Sequence, residues 1–179
     1  MNVLLMGMRG CGKSSIASQL STRIRRTYVD LDTMTATRCN AATAGLAMAR
    51  VGEAAFRAAE LEALRTSLVS NRFVIALGGG TVMAPGAADL INATRAEKRS
   101  MVVYLRATAA TLRERLEKTD LKARPSLTGK GVLEEIPDLL AQREPVYLSL
   151  ADEIFDVDGK NLNDVVKAMA AMLKGRGIS

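Results

Sequence analysis

The chain of 179 residues contains no histidine and no tryptophan. Without imidazole there is no His-based catalytic triad and no His-containing metal site. Aromatic residues make up only 3% of the chain. Leucine, alanine, valine and methionine must therefore fill the core, and a nucleic-acid surface built on base stacking is disfavoured. There are two cysteines, Cys11 and Cys39. They make no disulfide framework, and a reducing, cytoplasmic setting is the expectation. No apolar run reaches the length of a membrane span, and the chain opens on an apolar strand without a signal-peptide pattern. Internal repeats and low-complexity segments are also missing, so residues 1–179 read as one domain. Negative charge is in deficit: 25 Lys and Arg against 19 Asp and Glu leave a net +6. The arginines are dispersed rather than clustered, which favours a small anionic ligand over nucleic acid.

What is present begins at residue 7. Gly7-Met8-Arg9-Gly10-Cys11-Gly12-Lys13-Ser14 is a complete G-x-x-x-x-G-K-S loop. It follows the apolar run Val3–Met6, and Ile16, Ala17 and Leu20 follow it at helical spacing. A loop leaving a strand and entering a helix points backbone N–H groups and the helix N-terminus at one anion. Lys13 reaches the outer phosphates of a nucleotide, Ser14 offers a hydroxyl to Mg²⁺, and Gly10, Cys11, Gly12 and Ser15 complete the backbone cradle.

Downstream the pattern alternates. Strands are expected at Asn2–Met6, at Thr27–Val29 leading into Asp30, at Phe73–Leu77, at Met101–Leu105 and at Glu153–Val157. Helices are expected at Lys13–Ile24, in short pieces over 33–51, at Glu53–Val69, from Pro85 to Asn92, from a Thr108 cap to Lys118, from Pro137 through Gln142 and beyond, and at Leu162–Leu173. Strands apolar on both faces, interleaved with helices, predict a three-layer α/β/α fold around a five-stranded parallel sheet. Ligands of such sheets sit outside the carboxyl ends of the strands. Three loops meet that description: the phosphate loop, the segment Asp30-Leu31-Asp32, and Gly78-Gly79-Gly80. In an extended segment Asp30 and Asp32 would point to opposite sides, one toward metal and phosphates, the other toward a second substrate. The triple glycine reads as a place where a ligand approaches the backbone closely. Arg57, Arg124 and Arg143 are single arginines that residue reasoning alone does not separate from solvated ones.

Taken together these segments resemble the shikimate kinase family. The matching elements are Gly7–Ser14, Val29-Asp30-Leu31-Asp32, Gly52–Arg57, Leu77–Val82, Val102–Leu105, Arg124-Pro125-Ser126-Leu127 and Arg143-Glu144-Pro145-Val146-Tyr147, in the family order and with near-family spacing. The resemblance implies a P-loop kinase fold of nucleoside-monophosphate-kinase type, with a substrate-binding insert over about 33–60 and a lid over about 118–131. It implies Mg²⁺-dependent transfer of the γ-phosphate of ATP to the 3-hydroxyl of shikimate, in aromatic amino-acid biosynthesis. Carried over by position, Lys13 holds the phosphates, Ser14 and Asp30 serve the Mg²⁺, and Asp32 binds the shikimate hydroxyls and is the candidate base. Arg57 and Arg143 clamp the carboxylate, Gly79 and Gly80 present backbone N–H groups, and Arg124 is the lid arginine. A monomer acting on ATP and shikimate, away from membranes and nucleic acid, is the expected state.

The chain departs from the family pattern at Cys39-Asn40, where a Thr-Gly pair is usual, within an Ala-rich stretch one residue longer. Ala36 and Ser126 are further departures. A related kinase for another acid, such as gluconate, shares the loop and the aspartates. A GTPase would need Asn-Lys-x-Asp, and Asn161-Leu162-Asn163-Asp164 lacks the lysine; a helix cap explains that segment. Intact Lys13, Ser14, Asp30 and Asp32 argue against a degenerate kinase kept as a binding module.

Overall fold

A computed structural model describes residues 1–119, 126 and 129–178. Five parallel strands form one sheet in the order β2-β3-β1-β4-β5. They are β1 (Asn2–Met6), β2 (Thr27–Asp30), β3 (Phe73–Ala76), β4 (Ser100–Arg106) and β5 (Glu153–Asp156). The register is regular: Leu4 lies beside Ile75 on one side and Val102 on the other. Every residue of the central β1 is buried, which requires cover on both faces. Among the described residues there are eight α-helices, most of them supplying this cover: α1 (Lys13–Arg23), α2 (Leu31–Arg38), α3 (Ala44–Val51), α4 (Glu53–Val69), α5 (Ala87–Ala96), α6 (Ala109–Glu117), α7 (Ile136–Leu150) and α8 (Leu162–Gly175). The edge strands differ from expectation. β2 and β5 are only partly buried, because an edge strand has a neighbour on one side alone.

Local chemistry sets the boundaries. Asp30, Thr43, Thr108 and Asn161 each cap a helix with a side-chain oxygen, satisfying N–H groups that have no helical partner. α5 starts after Gly86, not at Pro85, because Gly86 takes the left-handed conformation at the cap (φ 81°). Asn40 has φ 50°; asparagine is among the few residues that adopt this region readily. The 33–51 stretch forms the end of α2 and α3, which pack with α4 beside the carboxyl edge of the sheet. The phosphate loop follows β1, next to the point where successive connections reverse direction across the sheet.

Candidate active site

The phosphate loop is held open by backbone conformation. Gly12, at the N-cap of α1, is left-handed (φ 97°, ψ 14°), and no side chain caps the helix. The first turn also lacks an acidic residue, so its N–H groups and the positive end of the helix dipole are available to an anion. Lys13 is buried, and its Nζ donates to the carbonyls of Gly7 and Met8, both at 2.9 Å. Ser14 and Ser15 are exposed on the cleft side. The Cys11 side chain is fully buried in the core, so Cys11 serves the loop through its backbone. Arg115 on α6 donates to the Cys11 carbonyl (3.3 Å) and to that of Val157 after β5 (2.7 Å), tying the loop to the far side of the sheet.

The two aspartates correct the expectation of an extended pair. The chain turns into α2 at Asp30, whose Oδ1 accepts from the Thr33 N–H at 3.1 Å. Asp32 therefore stands in the first helical turn. Separate roles survive the change of geometry. Asp30 Oδ2 accepts from Ser14 Oγ at 2.7 Å and from the Tyr28 hydroxyl at 2.9 Å. These oxygen groups suit a hard divalent cation; among the described residues no cluster of three or more His, Cys, Asp or Glu could hold a metal. Asp32 lines the cleft. It is open to solvent from the cleft mouth and walled by protein elsewhere. That burial pushes its carboxyl up to about 6; Glu60 and Asp30 add to the rise, while Lys13 and Arg57 oppose it.

Opposite stands α4. Its buried face contains Phe56, Ala63, Leu64 and Leu68, and also the carboxylate Glu60, 1% exposed. Glu60 Oε2 pairs with Arg57 Nη1 at 2.7 Å, and Oε1 accepts from Thr81 Oγ1 at 2.6 Å. The triple glycine gives room to these groups. A Cβ on Gly78 would lie 2.5 Å from Asp32 Oδ1 and 2.7 Å from Glu60 Oε1; one on Gly80 would lie 2.8 Å from Arg57 Nη2. None of residues 78–80 has positive φ, so the requirement is space. Arg143 on α7 donates to the Gly79 carbonyl at 3.0 Å, which also accepts from the Tyr147 hydroxyl at 2.5 Å.

One cavity of about 640 Å³ joins these parts. Gly10, Gly12, Lys13, Ser14, Ser15, Asp32, Arg57, Gly79, Gly80 and Arg143 all line it. Cys11, buried in the core, and Asp30, hydrogen-bonded to Ser14, are not among the lining residues. Arg124 lies outside the described residues. Five lining cations (Arg9, Lys13, Arg57, Arg115, Arg143) face two carboxylates (Asp32, Glu60), so the field favours an anion.

Sequence reasoning missed several of these groups. Glu60 carried a signal: a lone charge in the apolar face of α4, three residues after Arg57. Arg9, inside the loop motif, lines the cleft and pairs with Glu135 at 3.4 Å. Glu135 is fully buried and also accepts from Ser126 Oγ at 2.7 Å. Nothing in the sequence links residues 9 and 135.

The family model for shikimate kinase matches residues 9–174. A shikimate kinase 2 from Yersinia enterocolitica is 37% identical over 155 residues, covering 86% of this chain and 85% of its own. One from Sodalis glossinidius is 35% identical over 173 residues, covering 96% and 95%. Among solved structures, shikimate kinase from Acinetobacter baumannii in complex with shikimate superposes with a TM-score of 0.86 at 23% identity, over 99% of this chain and 95% of that one. At that identity the structure speaks for the fold, whereas the family match and the two relatives run nearly end to end: the chain belongs to the shikimate kinase family.

Proposed function

We propose that residues 1–179 form one kinase domain that transfers the γ-phosphate of ATP to the 3-hydroxyl of shikimate, with Mg²⁺ as the divalent cation. The observation that carries this reading is the cleft itself, where Lys13 and the α1 N-terminus share one cavity with Asp32, Arg57 and Arg143. The first pair suits a polyphosphate. The two arginines suit a planar carboxylate, which a guanidinium fork binds through paired hydrogen bonds. Asp32 lines the same cavity, and in this reading it accepts a hydroxyl hydrogen and then its proton.

The residues divide the work as phosphoryl transfer demands, mostly positioning and charge. The loop backbone at Gly10, Cys11, Gly12 and Ser15 cradles the phosphates, and Lys13 follows the charge that develops on the transferring group. Ser14 and Asp30 would hold the cation, which would supply positive charge against the phosphates. Arg57 and Arg143 fix the acceptor, Gly79 and Gly80 give it backbone contacts, and the 33–60 insert shapes its pocket. Arg124, in the segment about 118–131, is the lid arginine of this reading. A coupled ADP-release assay tests it: turnover with shikimate and none with gluconate is expected, and the reverse result would replace the substrate.

Asp32 makes a pH prediction. With its carboxyl near 6 rather than 3.8, a growing fraction is protonated as pH falls through 6 and accepts no proton. kcat/KM is expected to fall about tenfold per pH unit below that point. Asp32→Asn should lose most of the rate and this acidic limb with it. Stability should move the other way. The native state holds the Asp32 proton more tightly than the unfolded chain, so this group's contribution falls as pH rises from about 4 to 6. Asp32→Asn, which carries no such charge, should melt at a higher temperature than the parent at pH 8. A flat pH profile in the parent would remove Asp32 from the role of base.

A further inference from the structure

We propose that Tyr28 is a positioning residue for the divalent cation: its hydroxyl fixes the Asp30 carboxylate in the orientation that receives the metal of the metal–nucleotide complex. The inference rests on the reading of Ser14 and Asp30 as the cation's holders, and it assigns a role to a residue that contacts neither nucleotide nor substrate.

The placement follows from strand geometry. Tyr28 and Asp30 are two apart on β2, and side chains two apart leave a strand on the same face. The Tyr28 hydroxyl thus meets Asp30 Oδ2 at 2.9 Å. Its ring is partly buried and packed against the core cluster, and β2 is hydrogen-bonded in register with β3, Tyr28 beside Val74. The hydroxyl is therefore presented from a fixed base. Asp30 has three donors, and they are not equivalent. Thr33 N–H holds Oδ1, while Ser14 Oγ and the Tyr28 hydroxyl share Oδ2. Ser14 has two tasks, because its hydroxyl hydrogen goes to Asp30 while its lone pairs remain for the cation. The Thr33 N–H serves Asp30 alone, and the Tyr28 hydroxyl, which also neighbours the Ser14 hydroxyl, makes its bond at Oδ2, 2.9 Å away. They grip opposite ends of the carboxylate and define its plane, whatever position Ser14 takes up beside the cation. With Thr33 alone, the carboxylate would swing about the Oδ1 contact, and its ordering would fall on the metal-binding step. Partners of this kind around a ligating carboxylate commonly carry a large share of metal affinity.

An opposing effect is weighed by the same experiment. A donor on Asp30 also drains negative charge, which would weaken attraction for a cation. Orientation should win here, because Tyr28 donates to the oxygen that Ser14 already occupies and leaves the second lone pair of Oδ1 outside the grip.

Tyr28→Phe is the test, since it keeps the ring and removes only the hydroxyl. ADP binding is measured by calorimetry on parent and variant, with MgCl₂ and with chelator in its place, and the Mg²⁺ concentration for half-maximal activity is measured beside it. The expected result is a loss of about 3- to 10-fold in ADP affinity with MgCl₂, at the low end for outer partners of a metal site, and a matching rise in the Mg²⁺ requirement. ADP affinity in chelator should be unchanged. A loss equal in both conditions would mean a merely structural hydroxyl and overturn the proposal, as would a gain of affinity with MgCl₂. If the parent itself bound ADP equally with and without MgCl₂, the cation reading of Ser14 and Asp30 would fall and Tyr28 with it. A parent that depends on MgCl₂, beside a variant that matches it, would sink the Tyr28 role alone.

Discussion

Lys13→Ala is expected to lower kcat by about 10²–10³-fold while shikimate affinity, measured by direct titration, stays within about twofold. The size comes from the worth of one preorganised donor at a site of developing charge, about 2.7–4 kcal/mol, at about 1.4 kcal/mol per tenfold in rate. The structure shows how the donor is stored. The Lys13 ammonium is buried against the carbonyls of Gly7 and Met8, so it stands inside the loop before a nucleotide arrives. Little ordering remains to be done when the phosphates enter. A second effect accompanies the first. The Lys13 charge is the largest of the influences that hold the Asp32 carboxyl down. In Lys13→Ala the acidic limb of the residual activity should therefore start above pH 6. Both results together would place the lysine between phosphate and base. A normal kcat with only a raised KM for ATP would mean that Lys13 binds substrate without acting on the transfer.

The loop was legible because its function is contiguous. Eight neighbouring residues carry it, and the strand before and helix after are strongly patterned. The central strands were legible for a related reason: β1 and β4 are buried along almost their whole length and read as unbroken apolar runs. The strand order was not, since local patterning says nothing of which strands become neighbours. Asp32 was misplaced by an assumption of extended backbone through residue 32. The correcting signal was there, an aspartate three residues before Thr33's N–H could be capped at the start of a helix, but it competes with a strand reading of the same residues. Tyr28, Glu60 and Glu135 were hidden more deeply. Glu60 and Glu135 act through partners on another element or another turn, Tyr28 through an aspartate two residues along its own strand whose role the strand pattern does not reveal, and a single sequence carries no trace of a contact such as that between residues 9 and 135. The triple glycine was located correctly and explained incompletely. The ligand reading required free backbone N–H groups, whereas the space also admits Asp32, Glu60 and Arg57.

That crowding shapes the second large effect. Arg57→Ala should weaken shikimate binding by about 30- to 100-fold, the worth of about 2–3 kcal/mol for a charge-assisted fork, and leave ATP binding nearly intact. The variant should also be less stable, for a reason separate from catalysis. Arg57 Nη1 neutralises Glu60, a carboxylate only 1% exposed, and removing one member of a buried pair strands the other. The Thr81 hydroxyl, at 2.6 Å, would still donate to it but cannot neutralise its charge. The two losses separate in the double variant Arg57→Ala/Glu60→Gln. Removing the stranded charge should recover most of the melting temperature, because a neutral amide costs far less to bury than a carboxylate. It should recover none of the shikimate affinity, because the cation that grips the substrate is still missing. Recovery of both would show that Arg57 works only by holding α4 in place, and the carboxylate would then rest on Arg143 alone. A variant that lost ATP while keeping shikimate would put the arginine on the wrong substrate.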